Sequence, residues 1–188
     1  MCSHFSHEKL FPNQHGEICR SYPAKLLVPA SFTSKQLYDV ASFRAKGRLP
    51  AATWWHPRHG CALVRSGQPL LGNIITGGSN TADQELLDWY RRVPDVLLHN
   101  DDNVHSDRPL YIFDARKVKA STGNRLMGKG GVETSQDYIG AVVHHLNIAN
   151  IYRMQASYIA LMKLILPGGP TDKTWYTALE VRGLNGVS

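Results

Sequence analysis

Cysteine is scarce in this sequence. Only Cys2, Cys19 and Cys61 occur in 188 residues, and an odd, widely spaced set is not a disulfide framework. That usage fits a reducing compartment. Long apolar runs are missing as well, so no segment is suited to crossing a bilayer as a helix and any membrane contact is expected to be peripheral. The start, Met1 to Leu10, is polar and His-rich and lacks the apolar centre of a signal peptide. No Gly-x-x-x-x-Gly-Lys-Ser/Thr occurs, which removes P-loop nucleotide chemistry from consideration. Internal repeats and low-complexity linkers are absent too.

What is present describes one folded domain. The length allows a single real core and is too short to argue for two. Hydrophobic residues make up 43% and charged residues 19%, a globular rather than a disordered balance. Lysine and arginine outnumber aspartate and glutamate by 21 to 15. The excess favours anionic partners such as phosphate, nucleic acid or an acidic membrane face, and equally describes an ordinary solvated basic surface.

Residues 1–20 show no periodicity and read as a disordered leader, with the domain spanning 21–188. Tyr22 to Pro29 reads as a strand around Leu26-Leu27-Val28. Thr33 or Ser34 can cap a helix running to about Arg44, with Leu37, Val40 and Ala41 on one face and Gly47 ending it. Ala51 to Trp55 and Cys61 to Ser66 form a hairpin about a His56–Gly60 turn. Thr81 and Gln84 have capping-box spacing. The helix they open turns Leu86, Leu87, Trp89, Tyr90 and Val93 inward and stops before Pro94. Asp95 to Pro109 reads as an exposed insertion and Leu110 to Asp114 as a buried strand. Ala141 to Ile148 is another strand. Tyr152 to Leu166 is a helix with a long apolar stripe, stopped by Pro167, and Trp175 to Val181 starts one more. Alternating strands and helices imply an α/β layered sheet.

The most suggestive chemistry lies between Lys117 and Glu133. Lys117, Lys119, Asn124, Arg125 and Lys129 are interleaved with glycines after a predicted strand. Glycine backbone turns N–H groups toward an anion, and loops past strand carboxyl ends bind ligands in α/β proteins. A solvated surface loop has the same composition. Cys2, His4 and His7, and His56, His59 and Cys61, lack a second half with zinc-site spacing. Asp101 and Asp102 read as solvating charge, and Asp114 beside Arg116 as a site carboxylate, a cap or an ion pair. His144 and His145 face opposite ways along a strand. Trp54-Trp55 and Trp175-Tyr176 read as core or partner-facing aromatics.

The order of several short segments resembles the myotubularin family of phosphoinositide phosphatases. Tyr22-Pro23-Ala24 with Leu27-Val28-Pro29 resembles "YPxxLxVP". Phe43-Arg44, Arg48 and Pro50 resemble "FRxxxRxP", followed by a tryptophan and His56-Pro57. Val64-Arg65 with Gln68-Pro69-Leu70 and Gly72 resembles "VRxxQPLxG", and Asp114-Ala115-Arg116 resembles "DARP". Asn124 to Glu133 is similar to "NxxxGxGYE", and Asn150-Ile151 to Met154 to "NIHVM". The likeness runs from about Ile18 to Leu184. Each piece is short, and their shared order carries the argument. Lys117 replaces the family proline, Val132 a tyrosine and Tyr152 a histidine, and the Asn124–Glu133 loop is one residue longer.

The resemblance implies a protein-tyrosine-phosphatase-like α/β domain, a mixed sheet flanked by helices. It implies a phosphoric monoester hydrolase that removes the 3-phosphate from phosphatidylinositol 3-phosphate and the 3,5-bisphosphate, without a cofactor or metal. Asn124, Asn150 and Ile151 match headgroup-binding positions, where an amide and a backbone N–H suit phosphate oxygens. Implied partners are a phosphoinositide headgroup, a membrane surface met peripherally, and other family members as homo- or hetero-oligomers. The implied location is cytoplasmic, at endosomal-type membranes. Family catalysis needs a Cys-x5-Arg loop whose thiolate attacks phosphorus, whose arginine holds the phosphate, and beside which an aspartate protonates the leaving alcohol. Here Glu8, Lys25 and Gly67 stand six residues after the three cysteines. No catalytic residue is therefore assigned, and the chain is expected to be an inactive, incomplete phosphatase domain. A pseudophosphatase that binds a lipid or a partner is the alternative. A basic nucleic-acid module through Arg116 to Lys129 ranks last, because interleaved stacking aromatics and a DNA-reading helix are missing.

Overall fold

The structure, a computed structural model, describes residues 7–70, 80–99, 101, 105–116, 131, 133–165, 174, 175 and 177. The chain forms two compact units. The first comprises Met1–Phe113 and Lys119–His144, the second Asp114–Val118 and His145–Ser188. Helices and strands are mixed, as expected. In place of one layered sheet, the described residues hold three separate two-stranded sheets.

The first unit opens with a strand where a disordered leader was expected. β1 (Glu8–Pro12) pairs antiparallel with β2 (Lys25–Pro29), from Glu8 opposite Pro29 to Pro12 opposite Lys25. The order comes from one buried amide. Asn13 Nδ2 donates to the carbonyls of Cys19 and Pro23, both at 3.0 Å, and Oδ1 accepts from the Ile18 and Cys19 N–H groups at 3.1 and 3.3 Å. A single asparagine leaves no periodic trace in a sequence, so this organiser is invisible to pattern reading.

α1 (Ser34–Phe43) starts at Thr33, whose hydroxyl accepts from the Gln36 N–H while the Gln36 side chain accepts from the Thr33 N–H. This reciprocal cap satisfies two of the helix's orphan donors. Leu37, Val40, Ala41 and Phe43 are buried. The helix ends at Phe43, close to the expected end near Arg44 and ahead of Gly47, because Arg44 turns to extended backbone at φ −104° and ψ 140°. A 3-10 turn, Ala45–Gly47, follows.

β3 (Ala51–Trp55) and β4 (Ala62–Arg65) form the predicted hairpin, antiparallel with a bulge between Ala52 and Trp54. His56 Nδ1 accepts from the N–H groups of Arg58 and His59 at 3.1 Å, so this ring builds the turn. Trp55 packs 6.4 Å from Trp89.

α2 (Thr81–His99) differs from expectation at both ends. Asn80, not Thr81, is its cap: Asn80 Oδ1 accepts from the Asp83 N–H at 2.9 Å. The Gln84 side chain instead donates to the Asp137 carbonyl at 2.5 Å. The helix runs through Pro94 to His99. One lost N–H is offset by packing beyond it: Val96 is buried, and Arg108 Nε pairs with Asp95 Oδ1 at 2.8 Å. Arg91 Nη1 donates to the carbonyls of Ser106 and Arg108. The supposed insertion is thus partly helix and partly a strap tied to it. Leu86, Leu87, Trp89, Tyr90 and Val93 are inward as predicted. With Leu26, Val28, Leu37, Val40 and Leu49 they make the core. Within it, Tyr90 Oη accepts from the Ala52 N–H and donates to the Leu27 carbonyl, both at 3.2 Å. Burial pushes that phenol pKa upward.

β5 (Leu110–Asp114) and β6 (Ala141–His145) are neighbours. Leu110 N–H meets the Gly140 carbonyl at 3.0 Å at one end, and Leu146 N–H meets the Asp114 carbonyl at 2.8 Å at the other. Starts pair with starts and ends with ends, so the two strands are parallel. β5 is not the buried strand expected. Tyr111 and Phe113 point outward, Phe113 at 60% exposure, and stack on His144. In the second unit α3 (Ile151–Ile165) is helical as predicted, but Ile151, Tyr152, Met154, Tyr158, Ile159, Leu161 and Ile165 are exposed. The helix predicted from Trp175 lies almost wholly outside the described residues.

Candidate functional site

Two polar assemblies organise the segments that carry the sequence argument. The first surrounds Arg44, which is 1% exposed. Its Nε and Nη2 grip both Asp83 carboxylate oxygens at 2.8 and 2.5 Å, a bidentate fork. Nη1 reaches Glu133 Oε1 at 2.6 Å and the Gly67 carbonyl at 3.0 Å. Tyr138 Oη accepts from Arg44 Nη2 at 3.0 Å and donates to Asp83 Oδ2 at 2.9 Å. Burial works against the charged guanidinium, but the Asp83 hydrogen bonds and charge, then Glu133, outweigh it and hold the pKa above its ordinary value. Burial first, then the Asp83 charge and hydrogen bond, push the Tyr138 phenol upward against the pull of Arg44.

This assembly explains local geometry. Phe43 to Arg48 runs beside Gly67 to Leu70: Ala45 N–H meets the Gln68 carbonyl and Leu70 N–H meets the Phe43 carbonyl, both at 2.8 Å. Gly131 N–H meets the Pro69 carbonyl at 2.6 Å. The segments at 43–44, 66–70 and 131–133 therefore converge, and the far end of the basic glycine-rich loop is fastened twice, through Gly131 and Glu133. The cluster was not read from the sequence. The arginine just past α1 and the aspartate in the first turn of α2 were its only signals.

The second assembly lies within the second unit, which includes Asp114 and His145, the last residues of β5 and β6. Asp114 binds Arg116 Nη2 at 2.7 Å and accepts the Arg116 backbone N–H at 2.9 Å. Burial raises its pKa, yet the hydrogen bonds and charge of Arg116, then the His145 charge, win and hold it below the usual carboxylate range. Asp114 thus acts as cap and ion-pair partner together. Ile148 N–H meets the Ala115 carbonyl at 2.9 Å, which joins the segment after β5 to the one leading into α3.

Asn150 caps α3. Its Oδ1 and its carbonyl each accept from the Arg153 N–H at 3.0 Å. With Oδ1 committed, the Nδ2 group is the part of this side chain left to donate. Ile151 is the first helical residue, 74% exposed. Its N–H belongs to the first turn, whose N–H groups lack carbonyl partners within the helix and lie at the positive end of its dipole. Asn150 and Ile151 are therefore adjacent at one helix N-terminus. Asn124 lies outside the described residues, as do Lys117, Lys119, Arg125 and Lys129. Among the described residues no group of histidine, cysteine and carboxylate side chains is arranged to hold a metal ion. Cys19 is buried and Cys61 exposed, both free.

Comparison with known proteins matches residues 5–184 to the myotubularin-like phosphatase domain. The chain belongs to the myotubularin-like phosphatase family. It is 33% identical over 160 residues to phosphatidylinositol-3-phosphatase myotubularin-2 of Arabidopsis thaliana, covering 85% of this chain and 18% of that protein. It is 34% identical over 155 residues to phosphatidylinositol-3,5-bisphosphate 3-phosphatase MTMR2 of Gallus gallus, with 82% and 25% covered. Myotubularin of Xenopus tropicalis is 34% identical over 170 residues, with 90% and 26% covered. The chain spans about a quarter or less of the length of these myotubularin relatives. The family match begins at residue 5, ahead of the boundary at 21 expected from periodicity, in keeping with the pairing of β1 on β2.

Proposed function

We propose that this chain supplies headgroup-binding elements of a phosphoinositide 3-phosphatase acting on phosphatidylinositol 3-phosphate and the 3,5-bisphosphate. The observation that carries the reading is the N-terminus of α3, capped by Asn150. First-turn N–H groups and the Asn150 amide are donors of the kind phosphate oxygens take. By the family resemblance Asn124 is a further candidate headgroup ligand in this reading. Cytoplasmic placement, peripheral contact with endosomal-type membranes and association with related chains belong to the same proposal.

In this reading none of the chain's three cysteines is the nucleophile, since Glu8, Lys25 and Gly67 stand where the Cys-x5-Arg arginine would be. Attack on phosphorus by a thiolate needs an arginine that holds the phosphate oxygens, spaced so that both face one loop. Neither buried Cys19 nor exposed Cys61 has that arginine. The chain alone is expected to release no phosphate from vesicles containing phosphatidylinositol 3-phosphate. Turnover that survives extensive purification and the Cys61→Ser change contradicts this.

A second reading, a catalytically dead protein that holds a partner, is favoured by the apolar surface on β5 and α3. Apolar faces of this extent favour association. Monomeric elution with one cooperative thermal transition would argue that those faces need no partner.

A further inference from the structure

From Val40 to Ala82 the sequence contains no aspartate or glutamate, while Arg44, Lys46, Arg48, Arg58 and Arg65 all fall inside that stretch. Arg44 is consumed in the core. The β3–β4 hairpin carries Arg58 at its turn and Arg65 at the end of β4, both exposed and without an ion pair among the described residues. Beside these cations sits an apolar pair. Trp54 and Leu63 are cross-strand partners, 54% and 60% exposed. The Trp54 ring meets His56 edge-on at 5.6 Å, and His56 lies 4.5 Å from His59, so the aromatic surface continues into the turn. The opposite side of the hairpin is anchored, with Ala52, Trp55, Ala62 and Val64 packed on the core.

We propose that the β3–β4 hairpin is a docking surface for an anionic lipid bilayer, with Trp54 and Leu63 entering the interface and Arg58 and Arg65 meeting the headgroups. The chemistry discriminates among anionic partners. An indole with an adjacent leucine suits the boundary between headgroups and acyl chains, where an apolar body and a polar tip are both satisfied. Leucine offers nothing to a nucleic-acid backbone, and stacking platforms alternate aromatics with cations along a groove. The bulge between Ala52 and Trp54 sharpens the local twist and re-aims the side chain that follows it. The inference rests on the peripheral membrane contact proposed above but not on headgroup recognition at α3, since general negative charge suffices.

The test is sedimentation of the chain with phosphatidylcholine vesicles, with and without phosphatidylserine and lacking phosphoinositide. The expected result is binding that requires phosphatidylserine. Each arginine near an anionic surface contributes about fivefold in partitioning, so Arg58→Ser with Arg65→Ser is expected to weaken binding roughly 25-fold. Trp54→Ser should weaken it at least about tenfold from the apolar area withdrawn, and Trp54→Phe should keep most of it. Phe113→Ser, on the exposed face of β5, should leave it unchanged. All four sites are exposed, and circular dichroism of each variant should match the parent. Equal binding to uncharged vesicles, full binding by Trp54→Ser, or an equal loss in Phe113→Ser would overturn the proposal. So would tight binding to a random oligonucleotide with none to vesicles.

Discussion

Arg44→Met is expected to destabilise the first unit by about 3–5 kcal/mol, the cost of breaking a buried charge pair from one side. Methionine matches much of the side-chain volume, so the loss is electrostatic rather than a cavity. Asp83 would keep a fully buried carboxylate without its fork, Glu133 would lose its partner, and the Gly67 carbonyl would lose a donor. Since small domains have about 5–15 kcal/mol in total, this is a large fraction of the stability. Arg44→Lys keeps the charge but cannot present a planar fork, and should fall between the two. Urea unfolding followed by far-UV circular dichroism measures the effect. A loss below about 1 kcal/mol for Arg44→Met would show that the cluster is not holding the three segments together.

Gly47→Ala should be nearly as damaging for a different reason. Gly47 has φ +68°, and a Cβ built there would lie 2.5 Å from the Ile18 carbonyl oxygen. The left-handed conformation alone costs alanine about 1–2 kcal/mol. The clash is with backbone rather than a flexible side-chain end, so the chain must move. That movement displaces Ile18, part of the core, and the turn that follows Arg44. A combined loss of about 3 kcal/mol is expected in the same unfolding experiment, and no measurable loss would mean that the turn relaxes freely.

The sequence was most legible where local chemistry and burial agree. Thr33 or Ser34 signals a cap, and Leu37, Val40 and Ala41 follow at helical spacing; the structure selects Thr33 and adds Gln36 to it. The β3–β4 hairpin and the inward face of α2 follow from similarly local signals. The sequence is silent where order rests on single polar contacts between distant residues. Asn13 gathers a turn that has no apolar pattern. Asn80 displaced Thr81 as cap because its side chain reached the Asp83 N–H first, and packing of Val96 carried α2 past Pro94. The Arg44 cluster joins residues up to 94 positions apart in the chain, a separation that no local pattern encodes. The candidate site was legible in part. Order of short segments pointed to Asn150 and Ile151 but not to the cap geometry that leaves Nδ2 free to donate.

Titration of the chain with inositol 1,3-bisphosphate, the soluble headgroup, decides whether the start of α3 binds phosphate when wild type and Asn150→Asp are compared. Aspartate caps a helix as well as asparagine, so melting should not change. It lacks the amide donors and adds negative charge beside the phosphate, so affinity should fall at least about tenfold. Saturable binding by wild type with that loss in Asn150→Asp supports a headgroup site at the start of α3. Equal affinity of the two proteins, both folded, would place the headgroup elsewhere and contradict the account.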